Sequence, residues 1–354
     1  MKIIHTGDIH IGSAFRALPS EKARLRRAEL LDAFFSLCAY AKAENVGAVL
    51  VAGDLLDSSQ VSVQTVEAVF SAIRGASPVP FFYVSGNHDA GAVLPTVLPE
   101  NFYIFSQNRG FAYYPLTEAI TVAGMDARDF STDNFRALSL AENQFNILLL
   151  HGDLQKDIPL ELLKNKGIDY LALGHIHIPD GEAKRLDGRG RYRYCGCLEG
   201  RGFDELGARG FFLLDVQEGK VASEKFLSFS KRRILEKAVD ISACKSYFDV
   251  ENAVLAALAD ERKESMIKLV LVGRFCEGLK KDVALLSQRL NERFFFVKVE
   301  DDSRLQIDAN AYQNDLTERG EFVRAVGRYE MSEELRLEIL EVGLKALAGE
   351  EIDL

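Results

Sequence analysis

Apolar and polar positions alternate in two distinct ways along this chain. Residues 2–6 form a short apolar run that stops at Gly7-Asp8. Residues 20–44 place Leu25, Ala28, Leu31 and Leu37 at helical spacing, with charges on the opposite side. An apolar run over 46–52 ends at Gly53-Asp54, residues 61–74 repeat the helical pattern, and a run over 80–85 ends at Gly86-Asn87. Short buried strands joined by amphipathic helices predict a largely parallel sheet covered by helices. Further on, 101–124 reads as short strands with turns. Residues 146–150 and 170–173 are apolar strands that end at His151-Gly152 and Gly174-His175. From 182 to 228, β-type runs alternate with Gly-rich turns, which predicts a second, more antiparallel sheet.

Residues 231–237 (Lys-Arg-Arg-Ile-Leu-Glu-Lys) mark a boundary. Beyond them the pattern predicts strand 233–241, helix 248–262, strand 266–273, helix 278–290 and strand 294–300, a small β-α-β-α-β unit. Residues 301–330 are polar and read as irregular. Residues 332–348 then place Leu335, Leu337, Ile339, Leu340, Leu344 and Leu347 on an amphipathic helix. The expected organisation is a main domain over 1–230, a small domain over 231–302, and an acidic tail with a helix over 303–354.

Length and charge refine this picture. A chain of 354 residues with 47% hydrophobic and 27% charged residues has the composition of a globular protein of about two domains. The net charge of −10 argues against a general basic nucleic-acid coat. The acidity is local, however: residues 301–354 hold 14 acidic and 6 basic residues, while 231–300 hold 11 and 14. The opening residues lack the apolar stretch of a secretory signal, and no run is long enough for a membrane span. Five cysteines without paired spacing (Cys38, Cys195, Cys197, Cys244, Cys276) suggest reduced thiols and a cytoplasmic location. Cys195-x-Cys197 could bind a metal, but it reads more simply as two side chains on one face of a strand.

Five of the six histidines fall in short motifs at predicted strand ends: Asp8-x-His10, Gly53-Asp54-x-x-Asp57, Gly86-Asn87-His88-Asp89, His151-Gly152-Asp153 and Gly174-His175-x-His177. Ligands of α/β sheets bind at strand carboxyl ends. Imidazole nitrogen mixed with carboxylate and amide oxygen suits divalent Mn, Fe, Co or Zn and not a thiolate-rich structural zinc site. The number of candidate donors is enough for two adjacent ions, with a carboxylate as the natural bridge. Asp89 and Asp153 read as supporting residues, Asp126 and Asp129 as solvent-facing, and His5, outside the pattern, as structural.

The ordered set resembles the calcineurin-like metallophosphoesterase superfamily. The resemblance implies an α/β fold, a four-layer α/β/β/α sandwich, here with a β-α-β-α-β capping domain and a C-terminal helix. It implies one ion held by Asp8, His10, Asp54 and His177 and a second by Asp54, Asn87, His151 and His175, with Asp54 bridging. It further implies that His88 serves the leaving oxygen and that Asp57 orients His88.

Protein phosphatases of this superfamily carry Asp-Arg-Gly and Asn-His-Glu where this chain has Asp57-Ser58-Ser59 and Asn87-His88-Asp89. The wider layout is similar to SbcD-type DNA repair exonucleases of the YhaO-like kind. That similarity implies a Mn2+-dependent two-metal phosphodiesterase acting on DNA, an SbcC-type coiled-coil ATPase partner at the C-terminal helix, and possible homodimers. Arg16, Arg24, Arg26, Arg27 and Arg201 are candidate DNA contacts, as are the clusters at 184–193 and 231–233. Two other functions stay open: a nucleotide or cyclic-nucleotide phosphodiesterase, and a DNA-end-binding subunit with weak hydrolase activity.

Overall fold

The computed structural model describes residues 1–57, 61–105, 109–276, 278–307 and 309–349. The last five residues of the acidic tail lie outside that set. The chain divides into two compact units, Met1–Arg233 and Ile234–Leu354.

The first unit is built on two six-stranded sheets. In strand order, one contains Lys220–Ser228, Gly210–Gln217, Lys2–Thr6, Ala48–Ala52, Phe81–Val84 and Phe102–Ile104. The other contains Ala112–Thr117, Ile120–Gly124, Phe145–His151, Tyr170–Gly174, Arg191–Tyr194 and Lys184–Arg185. The period-2 alternation of a strand sorts its side chains into layers. Ala48, Leu50 and Ala52 enter a core shared with Ile147, Leu149, Tyr170 and Ala172, so this core lies between the sheets. Val49 and Val51 turn outward beneath the helices Ser20–Ala43 and Val63–Gly75, where they meet Phe34, Leu37, Val69 and Phe70. Leu148, Leu150, Leu171 and Leu173 form the outer core of the second sheet with Phe135 and Leu163 of two short helices. The result is an α/β/β/α sandwich.

Two expectations need correction. The second sheet is no more antiparallel than the first, since Ile120–Gly124, Phe145–His151, Tyr170–Gly174 and Arg191–Tyr194 pair in parallel. The hairpin Gly210–Gln217/Lys220–Ser228 belongs to the first sheet, where Gly210–Gln217 runs antiparallel to Lys2–Thr6. Gly-rich turns marked the hairpin correctly, but local sequence carries no information about which sheet edge a hairpin closes.

In the second unit, Ile234–Asp240, Met266–Val272 and Phe296–Asp301 pair in parallel. Right-handed crossovers between sequential parallel strands put both connecting helices on one face. Val250, Val254, Leu286 and Leu290 accordingly share one core with Ile267, Leu269 and Leu271. Residues 301–330 are not wholly irregular: Glu318–Gly327 is a helix that pairs with Glu333–Ala348. Leu340 and Leu344 of the expected apolar stripe are buried against Tyr312, Val323 and Val326, whereas Leu335 and Leu347 remain exposed. No helix among the described residues is long and apolar enough to cross a membrane.

His5 is fully buried in the first strand, with Nδ1 3.0 Å from the Tyr170 hydroxyl. Burial, reinforced by the nearby Arg193 charge, pushes its pKa down to about 3. An imidazole held neutral in the fold but titrating near 6.5 when unfolded stabilises fully above pH 6.5, and that stability is lost as pH falls toward 3. Urea denaturation between pH 7 and 4 should therefore show a shallower loss of stability in His5→Gln than in wild type. Equal slopes would refute this assignment.

Candidate metal centre

All five motifs lie where strands of the two sheets end on one side of the sandwich. The loops after Lys2–Thr6 and Ala48–Ala52 run side by side: Asp8 N donates to Gly53 O at 3.0 Å, His10 N to Asp54 O at 2.8 Å and Asp57 N to Ile11 O at 2.8 Å. Asp8, His10, Asp54 and His175 all have positive φ (48°, 50°, 49° and 104°). Such backbone costs on the order of 1–3 kcal/mol per non-glycine residue and clusters at functional sites. Gly53, at φ 83°, lies against the His151 ring, and Gly86 lies against the Asp54 carboxylate. A Cβ at either position would displace a donor side chain.

Asp54 is central. Its Oδ2 is 3.6 Å from His10 Nε2 and 3.5 Å from His151 Nε2, and its Oδ1 accepts the backbone N–H of His88 at 2.8 Å. Asp8 accepts the His175 backbone N–H with both oxygens, at 3.0 and 2.9 Å. His10 Nε2 and His177 Nε2 are 3.2 Å apart, and His151 Nε2 is 3.0 Å from Asn87 Oδ1. Among the described residues, donor atoms of Asp8, His10 and His177 converge within 4.8 Å, as do those of Asp8, Asp54 and His151. The His175 ring packs edge-on to that of His151, with centroids 5.3 Å apart, and His175 is in none of these convergent groups.

The donor set fits divalent cations. Nδ1–H of His151 donates to Ala52 O at 2.8 Å, so Nε2 presents a lone pair toward the Asp54 carboxylate. Burial holds His151 neutral, with its pKa pushed down to about 4, and pushes His10 down further. A neutral imidazole is the ligating form. Burial also drives the Asp8 and Asp54 carboxyls up. Two buried carboxylates facing imidazole lone pairs make a donor set that a divalent cation would compensate.

His88 differs from this buried set. Its side chain is 46% exposed, with Nδ1 3.8 Å from Asp57 Oδ1 and its ring centroid 4.7 Å from that of His10. The Asp57–His88 contact is at ion-pair distance and is not a hydrogen bond, and Asp57 Oδ2 accepts instead from Ser13 Oγ at 3.3 Å. Such contacts are often loose before substrate binds. His88, Asp57 and His10 also form a third convergent group.

The supporting residues sort differently than expected. Asp89 clamps two motif loops together, accepting the backbone N–H groups of Leu55, Leu56 and Gly86 at 3.2, 2.8 and 3.0 Å. Asp153 caps its own turn through Gln155 N. Asp126 is buried, not solvent-facing. Burial would raise its pKa, but the Arg128 guanidinium bonded to it holds it low. Cys195 sits in the inter-sheet core and Cys197 Sγ faces Glu205 Oε2 at 3.6 Å, both beyond the strand Arg191–Tyr194 and not on one strand face.

Arg26 is a clear miss as a DNA contact. It is fully buried, bonded to Glu29 at 2.6 Å, Glu199 at 2.9 Å and Gly200 O at 2.6 Å. Arg232, of the expected cluster at 231–233, is also buried and donates through Nε to Glu29 at 2.7 Å. Arginine spacing on a helix reads as a basic stripe until the Glu199 carboxylate, 173 positions away, is known to face Arg26. Arg191, Arg193 and Arg189 in the 184–193 cluster are likewise engaged with Glu224 and Asp169. Arg16, Arg24 and Arg27 are exposed. Arg201 is at the centre itself: its guanidinium is 2.9 Å from His177 Nδ1 and 2.9 Å from Glu205 Oε1. Glu205, which no motif flagged, is 2.7 Å from His177 Nδ1. Burial would raise the Glu205 pKa, yet His177 and Arg201 bring it down to about 2.

A calcineurin-like phosphoesterase family model matches residues 1–179, half of the chain and a span that holds all five motifs. The chain belongs to this family. It is a metal-dependent phosphoesterase. The phosphoesterase is 26% identical over 316 residues to the uncharacterized metallophosphoesterase YhaO of Bacillus subtilis, covering 79% of this chain and 73% of that protein. It is 28% identical over 230 residues to the DNA double-strand break repair protein Mre11 of Haloferax volcanii, covering 60% of this chain and 49% of the relative. The Mre11 of Methanopyrus kandleri is 25% identical over 287 residues, covering 68% of this chain and 60% of that protein.

Removing one partner of a buried ion network leaves the others uncompensated, at a cost of about 3–5 kcal/mol. Arg26→Ala should therefore lower the phosphoesterase's stability to urea by about that amount, and the exposed Arg24→Ala by less than about 0.5 kcal/mol. Comparable small losses in both variants would contradict the burial assigned to Arg26.

Proposed function

We propose that this phosphoesterase is a Mn2+-dependent DNA exonuclease. In this reading Asp8, His10, Asp54, Asn87, His151, His175 and His177 hold two divalent ions and His88 serves the leaving oxygen. The observation that carries the reading is one half-exposed imidazole, His88 at 46%, beside donors as buried as His10 and Asp54 at 0% and 2%. When bound, two such ions neutralise phosphate charge and lower the pKa of an attacking water.

The rest is the work of the chain. Expulsion of a sugar alkoxide requires a proton, and imidazole titrates in the right range to supply it. Asp57 stands near Nδ1 of His88 and favours a proton there, so it is the doubly protonated ring that gives the leaving oxygen a proton from Nε2. Asp57 also stabilises the imidazolium, and Ser13 holds Asp57 from behind. Asp54 sets the position of His88 through the backbone bond to its N–H. The exposed Arg16, Arg24 and Arg27 provide positive charge for a DNA backbone. The two relatives named as DNA double-strand break repair proteins support DNA over a small diester. An intact His88 argues against a purely architectural subunit.

The helix Glu333–Ala348 is the proposed dock for a coiled-coil ATPase of SbcC type, through its exposed Leu335 and Leu347. The double variant Leu335→Glu, Leu347→Glu should lose capture of that ATPase in a pull-down while keeping its fold. Undiminished capture would refute the dock.

Mn2+ should support release of mononucleotides from linear DNA. His88→Ala should lower that rate by about 10²- to 10⁴-fold with DNA affinity unchanged. Rapid turnover of a small phosphodiester with no DNA hydrolysis would instead identify a small-molecule enzyme.

A further inference from the structure

The segment 197–205 joins the metal centre through contacts that no motif predicts. Glu205 is buried, yet its carboxylate is fully engaged. Oε1 lies 2.7 Å from His177 Nδ1 and 2.9 Å from Arg201 Nη2, and Oε2 accepts the Arg201 backbone N–H at 2.6 Å and faces the Cys197 thiol at 3.6 Å. Arg201 continues the chain of contacts to Ser13 Oγ at 3.3 Å, and Ser13 reaches Asp57.

The His177 ring can carry its proton in two ways. With the proton on Nδ1, it donates to Glu205 and leaves Nε2 bare. With the proton on Nε2, Nδ1 accepts from Arg201, 2.9 Å away, and the N–H points at His10 Nε2, 3.2 Å away. Only the first form can bind a cation through Nε2, because a protonated nitrogen has no lone pair to give. The buried carboxylate at Nδ1 selects that form, since an anion beside Nδ1 attracts its proton and would repel its lone pair. His10 makes a useful contrast, for its buried Nδ1 has no hydrogen-bond partner among the described residues.

We propose that Glu205 is a positioning residue: it fixes His177 with the proton on Nδ1 and Nε2 facing the metal centre, and Arg201 holds Glu205 in place for that task. The proposal rests on the reading of His177 as a metal ligand, but not on DNA as the substrate. A carboxylate in this role typically contributes about 10- to 100-fold in metal affinity. Arg201 grips Glu205 through its backbone N–H, Nε and Nη2. A lysine offers a single point of contact and lacks this geometry.

The test is isothermal titration of Mn2+ into the metal-stripped full chain. Glu205→Ala should weaken one of two binding events by about 10- to 100-fold and leave the other near wild type. Glu205→Gln, whose amide oxygen still accepts from Nδ1–H, should restore part of the loss, and Arg201→Lys should resemble Arg201→Ala. Thermal unfolding of the metal-free variants separates misfolding from the specific effect, since a structural loss would weaken both events and would not be rescued by Gln. Unchanged affinity in Glu205→Ala, or equal weakening of both events, overturns the proposal. A wild-type chain that takes up no Mn2+ overturns it together with the metal centre. DNA left uncut by a chain that binds Mn2+ in the predicted pattern would count against the nuclease reading alone.

Discussion

Negative charge buried at the strand ends, with no cationic side chain bonded to it among the described residues, is the constraint on which the candidate metal centre is organised. Asp8 and Asp54 lie at 0% and 1% exposure among imidazoles that burial keeps neutral. The neighbouring backbone N–H groups of His88 and His175 satisfy part of each carboxylate. Among the described residues, neither is bonded to a lysine or an arginine side chain. Elsewhere in the first unit, buried carboxylates are paired directly: Glu29 and Glu199 with Arg26, and Glu205 with Arg201. The difference separates two uses of a buried acid. One kind closes internal networks that hold the chain together, and the other, in the proposed reading, would be balanced by a bound cation.

The strained loops follow from the same constraint. Residues with φ near +50° present Asp8, His10 and Asp54 inward from strand ends, and glycines beside them leave room for the opposing rings. Asp89 ties the loop bearing Asn87 and His88 to the loop bearing Asp54 through three backbone N–H groups. Rigid strands, clamped loops and few free rotamers let donors from five loops meet without ordering themselves when a ligand arrives.

Much of this was legible in the sequence because its signals are local. Glycines next to an acid, an asparagine or a histidine at the ends of apolar runs marked Asp8, Asp54, Asn87, His151 and His175 as candidates. The apolar runs 46–52 and 146–150 were legible as buried strands, while the split of Val49 from Leu50 and of Leu148 from Leu149 into different cores is visible only in the fold. What sequence pattern missed depends on long-range pairing. The hairpin Gly210–Gln217/Lys220–Ser228 resembles any other hairpin until Lys2–Thr6 is known to lie beside it. Arg26 resembles a surface cation until Glu199 reaches it from another part of the chain, and Glu205 is one acid among many until His177 is seen against it. A helix at Glu318–Gly327 was hidden by polar composition, since Phe322, Val323 and Val326 are the few large apolar residues that mark its packed side.

The central claim is that the acids and imidazoles at these strand ends are arranged around two cations that share Asp54. Anomalous diffraction at the manganese edge, from crystals of the full chain grown with Mn2+, tests it most directly. Two peaks are expected, each within coordination distance of an Asp54 oxygen, one flanked by His10 and His177 and the other by Asn87 and His151. A single peak, or two peaks of which one lies away from Asp54, would contradict it.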